Sequence, residues 1–140
     1  KYTNCIQEEH FFTDFVTASL VKYSINSFLA SKVIFFNQLN DIFKKSGAED
    51  NWENFINLVS KDARIGNSHM QVPGHDGRKG YGGACFPKDS AALLKFSKNL
   101  EVEFSLLKES ININNEIRSV YNEPTEREFE QNISFKKDCD

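Results

Sequence analysis

Apolar residues recur every three to five positions between about Thr17 and Ser46, a spacing that predicts one long helix. Asp14 or Thr17 can cap its start, and two lysines followed by Gly47 are typical of a helix end. At 1.5 Å per residue, about 30 residues give a length of roughly 45 Å. Apolar groups surround much of this helix, so we expect a partner chain to cover part of it.

Three shorter segments also show helical spacing of apolar residues, and they are Trp52 to Val59, Ser90 to Leu100, and Phe104 to about Val120. The glycine-rich stretch from Asp62 to Asp89 shows neither helical nor alternating spacing, and long irregular loops of this kind are often functional. We therefore predict an all-α fold with one long helix, about three shorter ones and a long glycine-rich catalytic loop. Residues 14–121 would form the helical domain, and residues 122–140 a polar tail that is mobile or weakly helical.

Composition limits the class of protein. With 39% hydrophobic and 26% charged residues, the 140-residue chain is typical of one globular domain. A net charge of -3 without a long basic run argues against nucleic-acid binding, and no apolar run reaches the ~20 residues that a membrane span needs. Cys5, Cys85 and Cys139 form no CxxC pair, which argues against a disulfide framework or a zinc site. We expect a cytoplasmic protein with free thiols and no bound metal.

The segment GYGGACFPKD, residues 80–89, carries the most specific candidate chemistry. It places Cys85 just before a predicted helix, where unpaired N–H groups and the neighbouring Lys88 favour the nucleophilic thiolate. The glycines would let the backbone pass close to a ligand and offer N–H groups to it. An inert buried cysteine beside an ordinary turn is the alternative. Neither a Walker A motif nor GxGxxG fits the segment.

Other polar residues are less specific. Lys22 and Asn26 stand four apart on the long helix and would share one side of it, where they could stabilise a developing oxyanion. From the spacing alone, a surface lysine with a polar neighbour is the simpler interpretation of the pair. The spacing of His69 and His75 matches no zinc or EF-hand pattern, and Arg64 could bind an anion or form a surface salt bridge.

Three blocks in order carry a resemblance: TASLVKYSINSFLASKVIFFNQ, DARIG and GYGGACFPKD. Together they resemble the central helical domain of the UDP-glucose/GDP-mannose dehydrogenase family, from about Ala18 to Asn115. The resemblance implies NAD-dependent oxidation of a nucleotide-sugar at C6, from alcohol to carboxylate. It also implies that Cys85 adds to the aldehyde as a thiohemiacetal, which is then oxidised to a thioester.

The resemblance assigns further roles by position. Lys22 and Asn26 match residues that stabilise charge on oxygen and hold a water, and Asp89 matches a carboxylate associated with them. Arg64 matches an arginine that reaches the nucleotide-sugar held by a neighbouring subunit. The substrate-binding loop would include Tyr81, Gly82 and Phe86. Lys88 would approach the phosphates of NAD.

The resemblance also predicts how the chain is organised and assembled. Residues 1–13 would be the end of, or a linker from, an N-terminal domain that binds most of NAD. The chain would then be an excised central domain or a truncated relative, inactive when isolated. We expect a homodimer through the long helix, because Phe28, Phe35 and Phe36 would otherwise leave apolar area in water.

Two functions of other classes stay open at this point. A non-catalytic dimerisation module would use only the long helix and would not bind a nucleotide-sugar. A cysteine-dependent hydrolase would pair Cys85 with His69 or His75, which requires a histidine within hydrogen-bond reach of the sulfur.

Overall fold

The computed structural model describes residues 12–135, and within this range every regular element is a helix. The predictions for residues 1–11 and 136–140, including Cys5 and Cys139, lie outside the described residues. The helices are α1 (Phe15–Lys45), α2 (Trp52–Val59), α3 (Cys85–Asn99), α4 (Ser105–Arg118) and the short α5 (Glu126–Glu130). The predicted all-α fold with one long helix is confirmed.

The long helix α1 begins and ends for identifiable reasons. Asp14 accepts hydrogen bonds from the backbone N–H groups of Val16 and Thr17, at 2.9 and 3.0 Å, and so caps the first turn. Two lysines occupy the last turn, and Gly47 follows in the left-handed region with φ of 79°. Of the two predicted capping residues, Asp14 is the cap and Thr17 lies inside the helix.

Helix α2 has the predicted bounds, whereas α3 begins at Cys85, five residues before the predicted start at Ser90. Pro87 explains why this turn can be helical. It is the third residue of α3, where the backbone N–H has no partner within the helix, so a proline there breaks no hydrogen bond. Cys85 is therefore a helical residue in the first turn.

The helices enclose two small hydrophobic clusters against α1. One contains Ala30, Ile34 and Tyr81, and joins α1 to the glycine-rich loop and to α4. The other packs the buried side of α1 against α2, and contains Phe36, Ile56, Met70 and the partly buried Leu39, Trp52, Phe55 and Val59. Helix α1 also packs along α3 and α4, the two helices that follow the loop in the chain.

The long helix also presents a large apolar surface to solvent. Phe28 and Phe35 are 70% and 60% exposed, as predicted, but Phe36 is only 3% exposed because its ring packs against Trp52. The prediction that Phe36 leaves apolar area in water is therefore wrong. Within residues 12–135, no helix combines the length and the apolar character required to cross a membrane.

Candidate active site

Three polar side chains from α1 and α3 meet at the start of α3. Asn26 Nδ2 donates to Asp89 Oδ2 over 2.6 Å, and Lys22 Nζ lies 3.7 Å from the same oxygen. The Asp89 side chain is 2% exposed and that of Lys22 is 60% exposed. Lys22 and Asn26 are one turn apart, so the predicted common side of α1 is confirmed, and it faces α3 through Asp89.

Cys85 and Asp89 are also one helical turn apart, at the first and fifth residues of α3. This spacing places them on the same side of the helix. Cys85 is an exposed free thiol, and no side chain caps the N–H groups at this helix end. The structure thus brings the predicted nucleophile to the helix start and the Lys22, Asn26 and Asp89 group one turn further on.

Lys88 lies beside this group without being buried in it. Its Nζ is 3.9 Å from Asp89 Oδ1, and its side chain is 59% exposed. The ammonium group therefore remains accessible to an anion in solution.

An open cavity of about 920 Å³ borders the glycine-rich loop, and it is lined by Tyr81, Gly82 and Phe86 together with His69, His75 and the N-terminal part of α5. Cys85 is not one of the residues that line it. Tyr81 is 5% exposed, and burial raises its pKa to about 12, so its phenol stays neutral. Its ring packs edge-on against Phe86 with centroids 6.1 Å apart. The three residues predicted to bind substrate share this cavity.

The backbone N–H groups of the loop are already used inside the protein. Gly80 N–H donates to Asn37 Oδ1 over 3.0 Å, and Tyr81 N–H donates to Asn114 Oδ1 over 2.7 Å. Gly83 N–H donates to Glu128 Oε1 over 3.2 Å. The expectation that the loop glycines offer their N–H groups to a ligand is therefore wrong for Gly80 and Gly83.

Comparisons with known proteins match this arrangement to a family. The model of the UDP-glucose/GDP-mannose dehydrogenase family, central domain, matches residues 16–116. The chain belongs to this family.

Individual relatives agree with the family match. UDP-glucose 6-dehydrogenase YwqF of Bacillus subtilis is 40% identical over 103 residues, which cover 74% of this chain and 22% of that protein. UDP-glucose 6-dehydrogenases of Rickettsia felis and Rhizobium meliloti are 39% and 37% identical, over 73% and 74% of this chain and 21% and 22% of their own lengths. The chain thus spans about a fifth of the length of these UDP-glucose/GDP-mannose dehydrogenase relatives.

An ionic group joins the matched residues to the chain that follows them. Arg118 donates to Glu128 Oε1 over 2.5 Å and to Asp76 Oδ2 over 2.7 Å, and the side chains of Arg118 and Glu128 are each 1% exposed. A Cβ atom on Gly82 would collide with both Arg118 and Glu128. A larger residue at this position of the loop motif would therefore displace the paired ends of these two buried side chains.

The sequence analysis did not single out four of the residues that hold the loop, which are Asn37, Asn114, Arg118 and Glu128. One signal was present, because two of them stand four apart on α4 and so share one side of that helix. For Glu128, which lies in the predicted polar tail, the signal was the capping-box spacing of Thr125 and Glu128, which predicts a helix start but not a contact with the loop.

The family resemblance links Arg64 to a neighbouring subunit. Within residues 12–135, no hydrogen bond or ion pair joins Arg64 to Cys85. Its guanidinium pairs with Asp62, with Nε to Oδ1 at 2.9 Å, and its side chain is 88% exposed. This hydrogen bond raises the pKa of Arg64 and lowers that of Asp62, so both stay charged. Arg64 thus presents a cation to solvent.

His69 and His75 both line the cavity that borders the glycine-rich loop. The His69 ring packs against Phe86 with centroids 5.4 Å apart, and burial lowers its pKa, helped by the charges of Lys32 and His75. Among the described residues, no hydrogen bond joins either histidine to Cys85. The hydrolase interpretation therefore gains no support from this geometry.

Proposed function

We propose that this chain forms the central part of an NAD-dependent nucleotide-sugar 6-dehydrogenase, with Cys85 as its nucleophile. The observation that carries the proposal is the contact of Lys22 and Asn26 with buried Asp89, one turn after Cys85. Family membership supplies the reaction class, because relatives that match the chain are UDP-glucose 6-dehydrogenases. The alternative of a dimerisation module leaves this polar group without a role.

Cys85 would act once the C6 alcohol has been oxidised to the aldehyde. The thiolate sulfur forms a bond to the aldehyde carbon, the C=O π electrons move to oxygen, and that oxygen takes up a proton. Loss of hydride from the same carbon and of the proton from its hydroxyl group gives a thioester. Water then adds to the thioester, the C–S bond breaks, and the acid leaves while the thiol is restored.

Lys22 and Asn26 would stabilise the oxygen on which negative charge develops. A buried carboxylate holds both donors in place before the reaction, so little reorganisation is needed when the charge appears. Asp89 has Lys22 and Lys88 within 4.0 Å, and it would orient these donors and the water that releases the acid. Tyr81, Gly82 and Phe86 would contact the sugar from the cavity.

When bound, NAD supplies the hydride acceptor for both oxidation steps. Lys88 fits one of its phosphates, since its ammonium group is exposed beside the Cys85 turn. A complete dinucleotide site also needs a glycine fingerprint after a strand, and the described range contains no strand. The described residues therefore fit a single contact to NAD rather than a whole site.

We further propose that the chain forms a homodimer through α1. Exposed Phe28 and Phe35 supply an apolar surface on a helix that the rest of the chain covers only in part. A two-fold axis would let this surface cover itself. Exposed Arg64 would then reach the nucleotide-sugar held mainly by the other copy.

The proposal is tested by asking whether a nucleotide-sugar aldehyde adds to Cys85. In a Cys5→Ser, Cys139→Ser background, UDP-glucose 6-aldehyde should slow alkylation of Cys85 by iodoacetamide. Lys22→Met should raise the aldehyde concentration needed for protection by about tenfold, the loss expected for one hydrogen bond to a charged group. Mass spectrometry after timed quenching measures the alkylated fraction.

Lys44→Met is the matched control, because Lys44 is an exposed lysine in the last turn of the same helix. It should leave protection unchanged. An aldehyde that does not slow alkylation, or a Lys22→Met variant that behaves like Lys44→Met, would count against the proposed chemistry.

A further inference from the structure

The chain beyond the family match returns to the loop that carries Cys85. After α4, Thr125 begins α5 and brings the Glu128 side chain beneath the loop, where it is 1% exposed. Glu128 Oε1 accepts from Gly83 N–H over 3.2 Å and from Arg118, and Oε2 accepts from Thr125 N–H over 2.7 Å. One carboxylate therefore connects α4, α5 and the loop.

This contact lies close to the nucleophile. Gly83 is two residues before Cys85, and Ala84 at the N-cap of α3 makes no side-chain hydrogen bond. In the described part of the chain, Glu128 is the one side chain that accepts from an N–H between Gly82 and Ala84. The direction in which the loop enters α3 thus depends on this carboxylate.

Glu128 is held as a charged group. Burial by itself would raise its pKa, but the Thr125 N–H, the Arg118 guanidinium and the Gly83 N–H together lower it. Arg118 also pairs with Asp76, so it keeps one carboxylate partner if Glu128 loses its charge. The charge at position 128 and the length of its side chain can therefore be varied separately.

We propose that Glu128 is a positioning residue that fixes the glycine loop and, through Gly83, the placement of Cys85. This inference rests on the proposed role of Cys85, because a fixed loop matters for the reaction only if the thiol reacts. Glu128 touches neither the thiol nor the Lys22, Asn26 and Asp89 group. Its action is to hold the loop backbone.

Two variants of Glu128 separate reach from charge. Glu128→Asp keeps the charge but withdraws the carboxylate by about 1.5 Å, one C–C bond, away from Gly83. Glu128→Gln keeps the reach and an oxygen acceptor but loses the charge. We expect amide hydrogen exchange at Gly83 to accelerate about tenfold in the Asp variant and less in the Gln variant.

The second measurement is the pH–rate profile of Cys85 alkylation in the Cys5→Ser, Cys139→Ser background. The alkylation rates across this profile should differ from those of the parent chain in Glu128→Asp. Those of Glu128→Gln should lie closer to the parent rates. The matched control is Glu130→Asp, the same substitution at an exposed glutamate of the same helix, and it should alter neither quantity.

The proposal is overturned if Glu128→Asp leaves Gly83 exchange and the alkylation profile unchanged. It is also overturned if both change only as much as global unfolding in urea predicts, since that is the sign of a purely structural role. Neither measurement contains nucleotide-sugar or NAD. A failure of aldehyde addition with the loop response intact would therefore contradict the proposed function and not this inference.

Discussion

Arg118 and Arg64 each pair with a carboxylate at 2.5 Å, but their surroundings are opposite. Arg118 and its partner Glu128 are each 1% exposed, and they lie between α4, α5 and the glycine loop. Arg64 is 88% exposed, and Asp62, its partner, is only two residues away along the chain. One arginine therefore ties distant segments together, whereas the other is held locally and presented to solvent.

This difference separates the parts of the site that one chain completes from those that it does not. The glycine loop and Asp89 have their supporting partners within the described residues. Arg64, Phe28 and Phe35 remain mostly exposed in this range, which is the state expected of groups that a second copy would contact.

The largest predicted effect comes from removing each arginine in turn. Arg118→Ala leaves buried Glu128 with only the more distant Arg78, whose Nη1 lies 4.0 Å from Oε2, and we expect the free energy of unfolding to fall by about 3 kcal/mol. Arg64→Ala should leave it unchanged within error, because water already solvates both charges of that pair. Urea unfolding midpoints measure the difference. Equal losses in the two variants would show that the buried group does not hold the loop.

Alanine substitutions at two glycines of the loop should give a smaller difference in stability. Gly80 and Gly83 both have left-handed φ, of 74° and 70°, so alanine at either costs about 1–2 kcal/mol of backbone strain. Only at Gly80 would the added Cβ also meet other atoms, with Asn114 Oδ1 at 2.7 Å. Crowding of this kind adds about 1–3 kcal/mol. Thermal unfolding should therefore rank Gly80→Ala below Gly83→Ala, and the reverse order would contradict the packing around the loop.

The sequence predicted the fold where the physical signal is local. Periodic apolar residues and capping side chains located α1 and α2, because these helices need only their own residues to define a side and an end. The expectation that Cys85 lies at the start of a helix is confirmed, but the predicted bound at Ser90 was five residues late because Gly82, Gly83 and Pro87 are typical of loops. Only the packed structure shows that this proline occupies a first-turn position that requires no N–H donor.

The candidate site divides in the same way. Helical spacing was enough to predict that Lys22 and Asn26 share a side, and the position of Cys85 before a helix made it a candidate nucleophile. The family resemblance added Asp89. The partners of the loop N–H groups could not be predicted, since Asn37 and Glu128 come from segments 43 and 45 residues away from their loop partners. Such contacts depend on how helices pack, and a polar residue in a sequence does not indicate which backbone group it meets.

A moderate effect is expected from acid. The folded-state pKa of Glu128 is lower than its ordinary value of 4.5, so its ionised form stabilises the fold above that value, and this contribution is lost as pH falls through the folded pKa. Glu128→Gln has no such group. Below about pH 5, the free energy of unfolding should therefore fall more steeply in the wild type than in Glu128→Gln. Glu130→Gln, at an exposed position, should keep the wild-type slope in urea titrations at each pH.

The smallest effect on folding is expected on the exposed side of α1. Phe28 is 70% exposed, so Phe28→Ser should change the free energy of unfolding of the single chain by less than about 0.5 kcal/mol. If two copies bury this ring at a shared interface, each lost ring removes about 1.5–3 kcal/mol of binding free energy. The dissociation constant of the dimer should then rise more than tenfold. Phe129→Ser, at a 75% exposed phenylalanine of α5, is the matched control and should leave assembly unchanged. Sedimentation equilibrium measures both. A wild-type chain that stays near 16.1 kDa at micromolar concentration would contradict the dimer and leave Arg64 without a neighbouring site to complete.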